Sequence, residues 1–378
     1  MNYLGKDIPK LGFGLMRLPM LGEQVLMGEH IDIEQTKAMV DKFLAAGFTY
    51  FDTAYGYNNG KSEEAAKLAL VDRYPREKFQ LATKLPAWAG AKNSDEAKQM
   101  FFTSLKRTGA GYFDFYLLHN CGADRTKVFD DFGLWDFVLG LRENGLVKHA
   151  GFSFHDTADV LDDILTKHPE MEFVQLQINY ADWTSPSVQS AKCFETAKKH
   201  GKPVVIMEPV KGGLLAKPIP SVAKILNEAN PRVSPSSWAI RFAASLDNVI
   251  TVLSGMSDIA QMEDNLATMS DFHPLDGAEY AVIERVREAL NAIENIPCTK
   301  CSYCVKDCPQ NIAIPDILDA LNQYIVFGDI ETPKRLYGFY TRNGNTAGTC
   351  AECGQCESVC PQHIGIMREL KRAAAAFE

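Results

Sequence analysis

The chain has 378 residues, room for about two domains at roughly 150 residues each, and 46 % hydrophobic and 23 % charged residues exclude a disordered or fibrous chain. Lys+Arg of 39 against Asp+Glu of 48 leaves a net charge of −9, so no basic surface is available for a phosphate backbone and nucleic acid is not an expected partner. No window approaches the ~20 apolar residues of a membrane span, and the opening MNYLGKDIPKLGFGLMRLPM lacks the apolar run of a signal peptide, so a cytoplasmic chain with no membrane partner is expected.

Apolar, β-branched runs alternate with stretches of helical period, the rhythm of βα units and a parallel sheet. Strands are predicted at 11–16, 48–52, 79–83, 113–118, 147–153, 173–178, 203–208 and 249–254. Helices are predicted at 33–46, 62–71, 94–108, 127–144, 156–167, 187–200 and 258–268, several of them opening after Ser or Asp. Eight strands with interleaved helices over about 270 residues have the size and rhythm of an α/β (β/α)8 TIM barrel. A doubly wound sheet is the competing architecture, but no G-x-G-x-x-G follows an early strand. WDFVLGLRENG reads as an amphipathic helix with aromatic core residues, DDFG as an exposed polar run at a helix start, and His30 and His155 as loop histidines, His155 close enough to the barrel mouth to touch substrate.

The barrel is expected to span 1–275 and a second, small and mostly helical ferredoxin-like domain 276–378, opened by the amphipathic stretch 276–294. Eight of the ten cysteines lie in that second segment, as Cys298, Cys301, Cys304, Cys308 and again as Cys350, Cys353, Cys356, Cys360, each run reading C-x2-C-x2-C-x3-C-P. This is the bacterial ferredoxin spacing for [4Fe-4S] clusters, present twice. A disulfide framework belongs to small secreted chains, and a zinc site needs two pairs of ligands where each run supplies four. By the ferredoxin rule the fourth cysteine of each run serves the other cluster. The expected sets are therefore Cys298, Cys301, Cys304 with Cys360, and Cys350, Cys353, Cys356 with Cys308. The 41 residues between the runs include the helical-looking IPDILDALNQYIVFGD, longer than a compact ferredoxin has, and MRELKRAAAAFE is a further predicted helix. Cys121 and Cys193 read as ordinary packed thiols.

A TIM barrel works at the C-terminal ends of its strands. There FDTAYGYNNGKSEE supplies Asp52 and Tyr57, LATK supplies Lys84 and YLLHN supplies His119. An acid, a phenol, an amine and an imidazole at one mouth can protonate a carbonyl oxygen while hydride arrives at carbon. A tyrosine of pKa ~10 is a poor acid at neutral pH, and a nearby ammonium lowers that value. Lys84 is the expected ammonium, Asp52 would keep it charged and placed, and His119 would hydrogen-bond the carbonyl or share the proton relay. Singly, each has a structural reading, as helix cap, loop aromatic, solvated charge or core histidine; together, at three successive strand ends, they read as catalytic.

The first 270 or so residues resemble the aldo-keto reductase family in FDTAYGY, LATK, YLLHN, GLVKHAGFS, VQLQIN and SGMSDIAQMEDNLA, in that order. The resemblance implies a barrel that binds a nicotinamide cofactor without a Rossmann fold, with Asp52, Tyr57, Lys84 and His119 as the catalytic tetrad. It implies that Ser153 and Gln175 hold the nicotinamide amide, with Gln177 and Asn179 on the same side of the strand. Gly212, Gly213, Gly255, Met256 and Ser257 fall where barrels bind phosphate, and Asn265 matches an adenine contact. Where the family stacks an aromatic on the nicotinamide this chain has Met207, and where an Asn often follows the serine it has Phe154. The stretch 254–265 has no Lys or Arg to grip a 2′-phosphate but contains Asp258, Glu263 and Asp264, which favours NADH slightly over NADPH, with Lys211 or Arg241 as alternative cations.

A hydride carries two electrons and each cluster passes one. A flavin usually bridges that gap; no flavin fingerprint stands out, and a flavin stays open as a further cofactor. The expected function is nicotinamide-linked reduction of a small carbonyl, or oxidation of an alcohol, with Tyr57 as general acid and the clusters exchanging electrons with a ferredoxin or flavoprotein. An electron-transfer or sensing module whose barrel binds a ligand without turnover is the alternative, and clusters that only hold the C-terminal region together are the third.

Overall fold

The computed structural model describes residues 4, 7–22, 24 and 27–378. Eight parallel strands, β1 (Leu11–Gly14), β2 (Tyr50–Asp52), β3 (Gln80–Leu85), β4 (Phe113–Cys121), β5 (Val147–Phe154), β6 (Phe173–Gln177), β7 (Val204–Met207) and β8 (Val249–Ser254), close into a barrel in sequence order. Helices α1 (Ile33–Ala45), α2 (Lys61–Ala66), α3 (Ser94–Thr108), α4 (Thr126–Asp131), α5 (Leu134–Glu143), α6 (Ala158–Lys167) and α7 (Ser190–Lys199) alternate with the first seven strands. Two helices, α8 (Pro220–Ala229) and α9 (Pro235–Ser245), stand between β7 and β8, and α10 (Ile259–Ser270) follows β8. The remainder holds α11 (Gly277–Asn291), α12 (Tyr303–Lys306), α13 (Ile314–Phe327), α14 (Glu331–Tyr340), α15 (Gln355–Ser358) and α16 (Ile366–Phe377). No helix among the described residues is long and apolar enough to cross a membrane.

The strands are covered on both faces, and β3 and β8 are buried at every position. Side chains fill the barrel interior, where Tyr50, Phe115, Leu117, Phe173, Val205 and Ile250 pack together. Gly151 on β5 pairs with Phe173 on β6, and a Cβ there would stand 2.4 Å from the Phe173 carbonyl oxygen, so only glycine lets these strands approach as they do. Asp114 on β4 gathers Arg76 at 2.6 Å, Lys148 of β5 at 2.9 Å and the Leu81 N–H of β3 at 3.0 Å, tying three neighbouring strands.

Helix starts follow local chemistry. Asp32, Asn93 and Asp258 cap α1, α3 and α10, each side chain accepting from the backbone N–H three residues on. The single helix expected over 127–144 is two helices, because Gly133 takes φ 60° between α4 and α5. The one expected over 62–71 is α2 followed by a π-helical turn at Lys67–Val71. Helices α8, α9 and α14 occupy stretches where no helix was predicted. Prolines obscure the first two, yet Pro220 and Pro235 sit in first turns, where a missing N–H leaves no bond unmade.

The chain divides into two compact units, one of Met1–Lys211 with Ser236–Asp276 and one of Gly212–Pro235 with Gly277–Glu378. Within the second, α13 packs on α14 and α16, burying Ile317, Leu321, Leu370, Ala373 and Phe377. Asn322 of α13 accepts from the Ile296 N–H at 2.7 Å and donates to the Ile296 carbonyl at 2.8 Å, fixing the chain two residues before Cys298.

Candidate active site and cluster sites

Asp52 closes β2 and Lys84 stands on β3, and these neighbouring strands set the two side chains together in the barrel core. Lys84 Nζ donates to Asp52 Oδ1 at 2.5 Å, to the Thr53 carbonyl at 2.7 Å and to Tyr57 Oη at 3.3 Å. Tyr57 opens a short turn after β2, its ring 4.7 Å below the ammonium and edge-on to the His119 ring at 5.9 Å. All four expected residues therefore meet at one mouth. Burial lifts the Asp52 carboxyl above its ordinary range, with Lys84 opposing. For Lys84 burial opposes the charge, but Asp52 and Tyr57 outweigh it and raise the ammonium pKa. Burial likewise lifts the Tyr57 phenol, and Lys84 recovers only part of that rise. The lowering expected from Lys84 is present but outweighed, so the phenol holds its proton. Burial, reinforced by the positive charge of Lys84, pushes His119 well below the ordinary histidine range. Its imidazole is neutral at pH 7, and its Nδ1 is buried without a partner.

Pairing of β5 with β6 puts Ser153 beside Gln175. The Ser153 hydroxyl accepts from the Asn120 N–H at 2.7 Å, and Gln175 Oε1 is buried with no partner. A carboxamide acceptor left bare beside an anchored hydroxyl fits the amide of a nicotinamide, since an unmet buried polar atom is costly until something meets it. Gln177 and Asn179 are committed elsewhere: both donate to Asp182 Oδ2, at 3.1 and 2.8 Å, while Lys211 Nζ holds Asp182 Oδ1 at 2.6 Å. Burial opposes the Asp182 charge, but Lys211 and the two amides outweigh it and lower its pKa. Met207 ends β7 half-buried, and Gly212 follows in the second unit with φ 66°. Gly255 lies against the Arg17 side chain, Ser257 Oγ donates to the Arg17 carbonyl at 2.8 Å, and Asn265 donates to Ser254 Oγ at 2.7 Å.

The eight clustered cysteines line two clefts in the second unit. Cys298, Cys301, Cys304 and Cys360 border one, and Cys308, Cys350, Cys353 and Cys356 border the other. These are the sets formed when the two runs exchange their fourth cysteines. Among the described residues no three His, Cys, Asp or Glu side chains close on a single metal ion, as four thiolates at ~2.3 Å from a zinc would. A cubane asks for a wider ring, because each thiolate binds a different iron. The apolar wall fits such a group: burial pushes the Cys304 and Cys356 thiols up to about 11, so loading must displace their protons.

A family model described as "Aldo/keto reductase family" matches residues 10–288, and one for a 4Fe-4S dicluster domain matches 297–365. The chain belongs to the aldo/keto reductase family. Similar curated proteins include an aldo-keto reductase of Mycolicibacterium vanbaalenii, 29 % identical over 253 residues, covering 66 % of this chain and 82 % of that one. Another, from Mycolicibacterium smegmatis, is 30 % identical over 149 residues, covering 39 % of this chain and 47 % of its own length. The chain thus spans about half the length of several curated relatives it matches. Solved structures with the same fold include an aldo-keto reductase of Bacillus halodurans in its holo form, with TM-score 0.59 and 24 % identity over 75 % of this chain and 93 % of that one. One from Klebsiella pneumoniae in complex with NADPH has TM-score 0.56 and 21 % identity, covering 74 % and 91 %.

In this aldo/keto reductase several side chains invisible to sequence reasoning shape the mouth. Trp88, just after β3, donates its indole N–H to the His119 carbonyl at 2.6 Å, and the Arg125 guanidinium lies 4.6 Å from its ring centroid. Asp182 organises the loop after β6. The signal for it, Asn-x-x-Asp after a strand, is too common to stand out. The charges invoked for NADH look different in place. Asp258 caps α10 and Glu263 pairs with Lys42 at 2.7 Å, so neither is an open repulsive carboxylate, and the aliphatic stem of Arg17 lies against Gly255. Lys211 is held by Asp182, and Arg241 donates to the His273 carbonyl. Cys121 and Cys193 are buried, with thiols pushed up by desolvation, and His155 follows β5 exposed at its end.

Proposed function

We propose that the chain reduces small carbonyl compounds with NAD(P)H, or oxidises the matching alcohols, and that residues 276–378 carry two [4Fe-4S] clusters that exchange electrons with a one-electron carrier protein. The observation that carries this reading is the contact of Lys84 with Asp52 and Tyr57 beside His119 at one barrel mouth. When bound, the nicotinamide supplies hydride and the clusters pass electrons singly, two clusters matching the two electrons of one hydride.

Neutral His119 donates a hydrogen bond to the substrate carbonyl and orients it. Tyr57, kept protonated by burial, delivers its proton to the carbonyl oxygen as negative charge develops there, and Lys84 stabilises the phenolate left behind. Asp52 holds Lys84 in place and charged. Ser153 and Gln175 seat the cofactor amide, with Met207 at the neighbouring strand end.

The test is an anaerobic titration of cluster-loaded protein with NADH and then NADPH, with and without a carbonyl acceptor, for the wild type and Tyr57→Phe. We expect Tyr57→Phe to lose carbonyl reduction by about 10²–10⁴-fold while still binding nicotinamide. Full activity in that variant removes Tyr57 as the acid. Bleaching of the clusters coupled to nicotinamide oxidation supports one electron path, and nicotinamide that never binds leaves the barrel as a ligand-binding module.

A further inference from the structure

The loop between β4 and α4 carries a cation that the tetrad does not use. Arg125, exposed just before α4, lies with its guanidinium carbon 4.6 Å from the ring centroid of Trp88. That indole is anchored at 2.6 Å to the carbonyl of His119, and its ring stands 6.1 Å from the imidazole. The cation is therefore one aromatic ring away from the group that orients the carbonyl.

Four other arginines of the barrel are matched with carboxylates: Arg73 with Asp41, Arg76 with Asp114, Arg107 with Glu63 and Arg142 with Glu172. Among the described residues Arg125 has no such partner and only its indole stack. Asp156, on the loop after β5, accepts from the Ala123 and Thr157 N–H groups instead. Glu208, after β7, acts on Tyr57, and Arg125 acts on both His119 and His155. A guanidinium lying over an indole and unpaired with any carboxylate can still offer its N–H fork to a carboxylate two-pronged.

We propose that Arg125 binds a carboxylate on the substrate, so that the preferred substrates are short oxo acids whose carbonyl is presented to Tyr57 and His119. This rests on the carbonyl-reductase reading above and specifies its substrate class. Arg125 here is a specificity residue, not a catalytic one.

The experiment compares kcat/KM for 4-oxobutanoate with that for butanal, which differ by the terminal carboxylate, in the wild type, Arg125→Gln and Arg125→Lys. The expected ratio favours the oxo acid by on the order of tenfold to a hundredfold, chiefly through KM, as one charge-assisted hydrogen-bonded pair would give. It should fall towards unity in Arg125→Gln and return in part in Arg125→Lys. A ratio near one in the wild type, or one that survives in Arg125→Gln, overturns the proposal. Calorimetric binding of 4-hydroxybutanoate keeps this separate from the reaction itself. If no carbonyl is turned over, the reductase reading fails, while the carboxylate site stands if binding weakens in Arg125→Gln and falls if it does not.

Discussion

His119 shows how a single side chain takes its chemistry from its surroundings. A free imidazole is half protonated near pH ~6.5, and an imidazolium beside Lys84 would place two cations together. Burial and that neighbouring charge keep the ring neutral. The pH profile of carbonyl reduction should therefore show no limb near 6.5, and its appearance there would contradict a neutral His119. Asp182 runs the opposite way. Its pKa is depressed in the folded state, so its contribution to stability is present above the ordinary carboxylate range and is lost as pH falls through the folded value. Asp182→Asn leaves the Lys211 ammonium without its carboxylate and should cost about 3 kcal/mol at pH 7, measured by denaturant unfolding. A loss within a few tenths would mean that Lys211 finds another partner.

Among elements, the pair β5 and β6 is the most demanding. It sets Ser153 next to Gln175, and Gly151 two residues earlier permits the close approach. In Gly151→Ala the new methyl meets the Phe173 carbonyl oxygen at 2.4 Å and the buried Phe173 ring at 2.7 Å, and the backbone oxygen cannot swing away. The strands must separate, and the amide seat opens with them. This variant should lose stability and bind nicotinamide at least several-fold more weakly, as read by melting and by cofactor fluorescence; unchanged affinity would show that the seat tolerates the shift.

At the scale of the molecule, each cleft draws cysteines from both sequence motifs, which lie 41 residues apart, so crossed ligation would couple folding of the second unit to cluster loading. Paired variants separate crossed from uncrossed ligation. Cys301→Ser with Cys360→Ser strikes one cleft and should retain about four iron atoms per chain, whereas Cys353→Ser with Cys360→Ser strikes both and should retain close to none. The reverse pattern would place each cluster on its own run.

Periodicity and spacing by themselves determined the barrel and pointed to the eight paired-run cysteines and the four residues at its mouth, because each is a local signal: a strand of apolar residues, a loop of thiolates, a polar residue where a strand ends. The tertiary structure decided what those residues feel. Burial outweighs Lys84 at Tyr57, Lys42 neutralises Glu263 and Lys211 is held by Asp182, through contacts between segments distant in sequence. Trp88 and Arg125 belong to the same class. Nothing in the stretches LPAWAG and GADRT marks them until β3 and β4 lie side by side and bring the indole to the His119 carbonyl. Residue type is a property of the chain, whereas desolvation and charge pairing arise only when the barrel closes.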